Sequence, residues 1–134
     1  AATLGIENRT AAIRVIPVDL HSQRIEVRVV GEDAIPYLVQ AAALAAMNIG
    51  MQEQLSPNEP VAGNAYEAED DLPRQFHFAS DLSSAANRFG ESTAAKKQFG
   101  ETFVEHFAMT RQWEASEYHR TINSWQLERY FEIV

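Results

Sequence analysis

The chain has 134 residues, enough for one domain that buries roughly two thirds of the surface its unfolded form exposes. Hydrophobic residues make up 46% and charged residues 22%, the balance of a packed globular protein rather than a disordered or fibrous one. The formal net charge of −8 argues against nucleic acid and anionic membrane surfaces as partners, because both bind a surplus of Lys and Arg.

Cysteine is absent, so disulfides and thiolate metal sites are excluded together, and a reducing, cytoplasmic setting is expected. The first residues carry no basic region followed by an apolar stretch, so no secretory signal is expected. They also do not begin with Met, which suggests a piece of something longer.

Thr10 to Ile16 is a β-branched run that places Ile13 and Val15 on one face and Arg14 on the other, and it reads as a strand. Arg24 to Val30 alternates more cleanly. Ile25, Val27 and Val29 share one face, while Arg24, Glu26 and Arg28 share the opposite one. The link between the two runs is too short for a helical crossover, so antiparallel pairing is expected.

Gly31-Glu32-Asp33 then breaks the pattern, with Asp33 or a neighbour as a cap and Pro36 suited to a first helical turn. A helix should run to about Leu55, apolar nearly all round and therefore covered on several sides. Its uncharged stretch from Ala34 to Met51 is rich in alanine and interrupted by amides, which favours a buried helix over a membrane span. Ser56 to Pro73 contains three prolines, one glycine and a cluster of acids, and reads as a long loop.

One helix is expected within Arg74 to Phe89, and a long one from about Ser92 to Thr121. In the long one Phe99, Phe103 and Phe107 recur every fourth residue as a core stripe that Trp113 and Tyr118 prolong. A short last helix, Trp125 to Phe131, should be capped by Asn123-Ser124. The fold class is α+β: a single domain or fragment over residues 1–134, with strands within about 10–30 and helices within about 36–131.

The Arg24, Glu26, Arg28 face offers the clearest chemistry, since alternation spaces these side chains about 7 Å apart on one side of a strand. A carboxylate supplies a hard oxygen for Mg²⁺ or Mn²⁺, and guanidinium groups clamp phosphate or carboxylate in two-pronged fashion. Pairing of the strands would bring Arg9 and Arg14 to the same neighbourhood. A solvated sheet face with charges paired across strands is the plain alternative. His21, His77, His106 and His119 show no metal-ligand spacing, and no glycine-rich phosphate loop is present.

Gly5-Ile-Glu-Asn-Arg-Thr-Ala-Ala-Ile-Arg-Val-Ile-Pro17, Ser22-Gln-Arg-Ile-Glu-Val-Arg28 and Pro36-Tyr-Leu together resemble the C-terminal part of the catalytic domain of the glutamine synthetase family. The resemblance continues through Gly63-Asn-Ala-Tyr66, Leu72-Pro73, Phe99 to His106 and Trp125 to Phe131, so it covers almost the whole chain. It implies an ATP-dependent glutamate–ammonia or glutamate–amine ligase of nitrogen metabolism and glutamine biosynthesis, of either the glutamine synthetase or the γ-glutamyl-amine ligase branch. Such an enzyme works through a γ-glutamyl phosphate intermediate.

By the same resemblance Arg9 and Arg14 would hold the ATP phosphates and the acyl phosphate as catalytic groups. Glu26 would ligate a nucleotide-side Mg²⁺ or Mn²⁺, and Arg28 would grip glutamate. The implied partners are glutamate, ATP, ammonia or an amine, and the remainder of the enzyme, including an N-terminal β-grasp domain, in a homo-oligomeric ring.

Three local departures stand out: Ile35 before Pro-Tyr where the family has Asn, Val18-Asp19 in place of a glycine-containing turn, and Gln75 to Ser80 in place of Ser-Leu. Tyr66 falls near a tyrosine that some bacterial members adenylylate, but Glu67-Ala-Glu-Asp-Asp differs from that site, so no modification is expected. Without the upstream metal-binding glutamates an isolated chain is expected to be inactive. A catalytically silent relative with a structural or interaction role is the competing reading.

Overall fold

The computed structural model describes residues 1–133. They form two compact units, residues 1–78 and residues 79 onward. The first holds strands β1 (Leu4–Ile6), β2 (Ile13–Ile16) and β3 (Arg24–Val27) and helix α1 (Pro36–Gln52). The second holds α2 (Leu82–Glu91), α3 (Thr93–Phe99), α4 (Glu101–Arg120) and α5 (Ser124–Tyr130). The α+β class expected from the sequence is what the chain adopts.

The sheet order is β1-β2-β3. β2 and β3 pair antiparallel, as the short link requires, with Ile13 opposite Val27, Arg14 opposite Glu26 and Ile16 opposite Arg24. β1 was not foreseen and joins β2 in parallel, with Leu4 beside Ile13 and Gly5 beside Arg14. A parallel pair normally needs a long crossover, but a three-residue strand asks the chain to climb back only about 7 Å, which residues 7–12 span as a tight return.

That return is compact because its side chains are small. Ala11 and Ala12 are buried beneath it with Thr3, whose hydroxyl accepts from the Ala12 N–H at 3.0 Å. Gly5 sits where a Cβ would lie 2.5 Å from the Asn8 Cβ and 3.0 Å from that of Ala11, so no other residue fits without displacing the turn.

Helix α1 departs from expectation in two ways. Asp33 does not cap it: Ile35 occupies the N-cap with extended backbone, no side chain bonds the first turn, and Pro36 stands at its start. The helix also has no fully buried residue: Leu38, Val39 and Ile49 are half-buried while Tyr37 is 82% and Met51 72% exposed, so the apolar surface expected to be enclosed is covered only in part among the described residues.

The expected long C-terminal helix is two helices. Gly100 adopts φ 83° between α3 and α4, a left-handed conformation that glycine takes without steric cost. Side-chain caps start the neighbouring helices: Asp81 accepts from the Ser84 N–H, Ser92 from Ala95, and Asn123 forms a reciprocal box with Gln126. The Ser84 backbone N–H, then its hydroxyl, hold the Asp81 carboxyl below the usual carboxylate range.

Phe103 stacks on Phe107 at a centroid distance of 5.8 Å and meets Phe99 at a tilt at 6.0 Å, and Phe89 of α2 meets Phe107 edge-on at 5.7 Å. Val104, fully buried, anchors this helical unit. The stripe stops there, because Trp113 and Tyr118 are exposed rather than extending the core.

Two substitutions check these origins by urea unfolding. Gly5→Ala should cost about 1–3 kcal/mol through overpacking; an unchanged midpoint would refute the tight approach. Ile35→Asn should add about 1 kcal/mol by supplying the missing cap, raising the midpoint at constant slope.

Candidate functional site

Asn8 organises the loop that carries the candidate residues. Its Oδ1 accepts from the Thr10 N–H at 3.0 Å and the Thr10 hydroxyl at 2.6 Å, an Asx turn with a second bond. Its Nδ2 donates to the carbonyls of Gly63 at 2.7 Å and Val61 at 3.3 Å. The Thr10 hydroxyl in turn accepts from the Ala65 N–H at 2.8 Å, and the Val61 N–H bonds the Leu4 carbonyl at 2.8 Å. The start of the long 56–73 loop is thereby fastened to the turn between β1 and β2, and Arg9 is presented between two anchored neighbours.

Arg14 and Glu26 face each other across β2 and β3, joined at 3.2 Å from Nη1 to Oε2. Arg28 continues the same face, its Nη1 3.7 Å from Glu26, while Arg24 lies at 3.8 Å on the other side. Strand alternation does place Glu26 and Arg28 together, with Arg14 added by the cross-strand register. Arg28 also reaches Arg9, donating from Nε to the Arg9 carbonyl at 3.1 Å, and its backbone N–H bonds the Ala12 carbonyl at 2.8 Å. The backbone of the Arg9 loop is thus tied to the end of the Arg28 strand.

Arg9 and Arg28 line one cleft of about 370 Å³, with Tyr66 and Glu69 on its wall. Arg14 and Glu26 do not line that cleft. The four expected residues therefore form two overlapping groups, an ion-paired array of Arg14, Glu26 and Arg28 and a cleft of Arg9 and Arg28, with Arg28 common to both.

The residue that sequence patterning passed over is Glu7. Its Oε2 accepts from Arg14 Nη2 at 2.6 Å, a shorter contact than the one from Glu26. Bonding to Glu7 is the main reason the Arg14 guanidinium sits above the ordinary arginine range, with burial opposing it and Glu26 adding to it. Alternation along a strand could not reveal Glu7, because it lies in the turn. The Asn-x-Thr turn signal was readable from sequence; the direction of the Glu7 side chain was not.

Chemically the array suits an anion. Guanidinium groups in a fixed plane match phosphate and carboxylate oxygens bidentately. A divalent cation is served less well: Glu26 is a single carboxylate among three guanidinium groups, and among the described residues no group of three or more His, Cys, Asp or Glu side chains could hold a metal ion. Mg²⁺ asks for a nearly octahedral oxygen shell, so the described residues do not form such a site by themselves.

Residues 1–130 match the family model for the glutamine synthetase catalytic domain. The chain is 38% identical over 130 residues to a glutamate–isopropylamine ligase of Pseudomonas sp., covering 97% of this chain and 28% of that protein. It is 37% identical over 138 aligned residues to type-1 glutamine synthetase 2 of Dictyostelium discoideum, covering 98% of this chain and 25% of that protein. The solved structure of apo GmaS without ligand superimposes with a TM-score of 0.74 at 21% identity, over 98% of this chain and 30% of that one, and shows the same fold. The chain thus spans between a quarter and a third of the length of the relatives it matches.

Asn8→Ala should loosen the clasp between the arginine turn and the long loop. Native-state hydrogen exchange is expected to accelerate at the Thr10 and Ala65 amides while Val104 keeps its protection; equal protection at Thr10 and Ala65 in both proteins would disprove the clasp.

Proposed function

The chain belongs to the glutamine synthetase catalytic-domain family, and from that premise we propose that it forms the phosphate- and glutamate-binding part of a longer ATP-dependent glutamate–ammonia or glutamate–amine ligase. The carrying observation is the array of Arg14, Glu26 and Arg28 across paired strands, with Arg28 and Arg9 sharing a cleft.

In that reaction the side-chain carboxylate of glutamate attacks the terminal phosphoryl group of ATP, releasing ADP and leaving γ-glutamyl phosphate. The amine then attacks the acyl carbon, phosphate departs, and an amide remains. Negative charge is concentrated first on the transferring phosphoryl oxygens and later on the departing phosphate. Fixed positive charge lowers both barriers without needing to reorganise during the reaction.

Arg28 is suited to grip glutamate because its Nε is occupied by the Arg9 carbonyl and its Nη1 leans on Glu26, which fixes the guanidinium plane at the cleft wall. Arg9, exposed and presented by the Asn8 turn, is suited to a phosphate. Arg14, held deeper, supplies further positive charge. Glu26 balances the guanidinium groups and contributes one carboxylate oxygen towards a Mg²⁺ or Mn²⁺ shell that other parts of the enzyme complete. In the same reading the enzyme is a cytoplasmic homo-oligomeric ring, and the chain on its own is inactive because the remaining ligands and the β-grasp domain belong to other parts of the protein.

In the full-length ligase, Arg28→Ala should lower kcat/KM for glutamate about 100-fold or more, the scale of losing one charge-stabilising donor. Its thermal unfolding should stay close to wild type, since the side chain faces the cleft rather than the core. Unchanged turnover with glutamate would overturn the assignment.

A further inference from the structure

Arg14 is held from both sides, and the side supplied by Glu7 has no counterpart in the reading above. The guanidinium is mostly withdrawn from solvent, with 13% of the side chain exposed, and its Nε is buried without a partner. Its acceptors are Glu7 Oε2 on Nη2 at 2.6 Å and Glu26 Oε2 on Nη1 at 3.2 Å. Glu26 is shared with Arg24 and Arg28, whereas among the described residues the Glu7 carboxylate forms an ion pair with Arg14 alone.

Glu7 holds an unusual backbone. Its φ is 52°, in the left-handed region that Asn, Asp and Gly enter most easily and that other side chains seldom adopt. The Glu7 N–H bonds the Val15 carbonyl at 2.9 Å, so the turn is locked to β2 next to Arg14. Gly5, the partner of Arg14 in the parallel pair, has no side chain to intervene. The return from β1 to β2 would be easier with Asn or Gly at position 7, yet a carboxylate stands there and reaches the half-buried arginine.

We propose that Glu7 is a positioning residue for Arg14, fixing the guanidinium independently of Glu26. This rests on the reading of Arg14 as a group that stabilises the phosphoryl transfer. A guanidinium with one carboxylate partner turns whenever that partner turns, while carboxylates on two of its nitrogens define its plane. Glu26 already answers to three arginines and is the carboxylate that substrate-side chemistry would draw upon. Glu7 keeps Arg14 in place when Glu26 shifts.

The test is a double-mutant cycle in the full-length ligase, with Glu7→Asn, Glu7→Gln, Arg14→Ala and the Glu7→Asn/Arg14→Ala double variant. Asn tolerates the left-handed backbone, so Glu7→Asn removes the carboxylate while keeping the turn; Gln retains the length and an acceptor should the shorter side chain perturb folding. Kinetics should show kcat reduced about tenfold in Glu7→Asn, with KM for glutamate within about twofold of wild type and Glu7→Gln intermediate, as expected for an interaction expressed in the transition state. The double variant should be no slower than Arg14→Ala alone, because Glu7 acts only through Arg14.

Wild-type kcat in both Glu7 variants, with Arg14→Ala impaired, would overturn the role of Glu7 and leave the reading of Arg14 standing. Wild-type kcat in Arg14→Ala would overturn that underlying reading and the proposal with it. A double variant slower than Arg14→Ala by the full Glu7→Asn factor would show an independent effect of Glu7 and also refute positioning.

Discussion

Asn8 makes the interaction on which the site depends. Its carboxamide uses the acceptor oxygen within its own turn and both donor bonds on the loop that begins after Ser56, so one side chain closes two segments on each other. Because the turn is closed, β1 can lie parallel to β2 with only a short return between them. Because β1 is there, Gly5 and Glu7 flank Arg14, and Arg9 stands at the mouth of a cleft rather than on a free loop. The small residues Gly5, Ala11 and Ala12 are the steric condition for this closure.

The electrostatics follow from that geometry. A chain of net charge −8 carries a local concentration of arginines, since Arg14, Arg24 and Arg28 gather around the carboxylates of Glu7 and Glu26, and Arg9 joins Arg28 along the cleft. The carboxylates do not cancel the arginines so much as orient them: each ion pair fixes a guanidinium plane, and the surplus positive charge is directed at the cleft. Clefts walled by protein focus such a field more than an open surface does, which favours capture of an anion even by an acidic protein.

Helix α1 carries a different message. An uncharged helix with Tyr37, Leu44, Met47 and Met51 exposed leaves more apolar surface in water than a monomeric domain usually shows on one element. A chain spanning between a quarter and a third of its relatives, and an apolar helix only partly covered among the described residues, fit the proposal of a larger enzyme whose other parts complete both the core and the site. The same helix is not long and apolar enough to cross a membrane.

The sequence by itself determined the elements whose signal is local. Alternation from Arg24 and the short link before it decided strand, face and antiparallel pairing, although the strand ends at Val27 rather than Val30; Pro36 marked the start of α1, Asn123 the start of α5, and the four-residue recurrence of Phe99, Phe103 and Phe107 the apolar stripe of the helical unit. The same alternation put Glu26 and Arg28 on one face, whereas Arg9 and Arg14 stood out only through the motif shared with the family. Tertiary structure decided what depends on a partner distant in the chain: that Leu4–Ile6 is a strand, that Gly100 divides a helix, that Ile35 leaves α1 uncapped, and that Arg14 answers to Glu7. A three-residue strand has no periodicity to read, and a glutamate in a turn points wherever its φ directs it. Neither can be known before the chain has closed on itself.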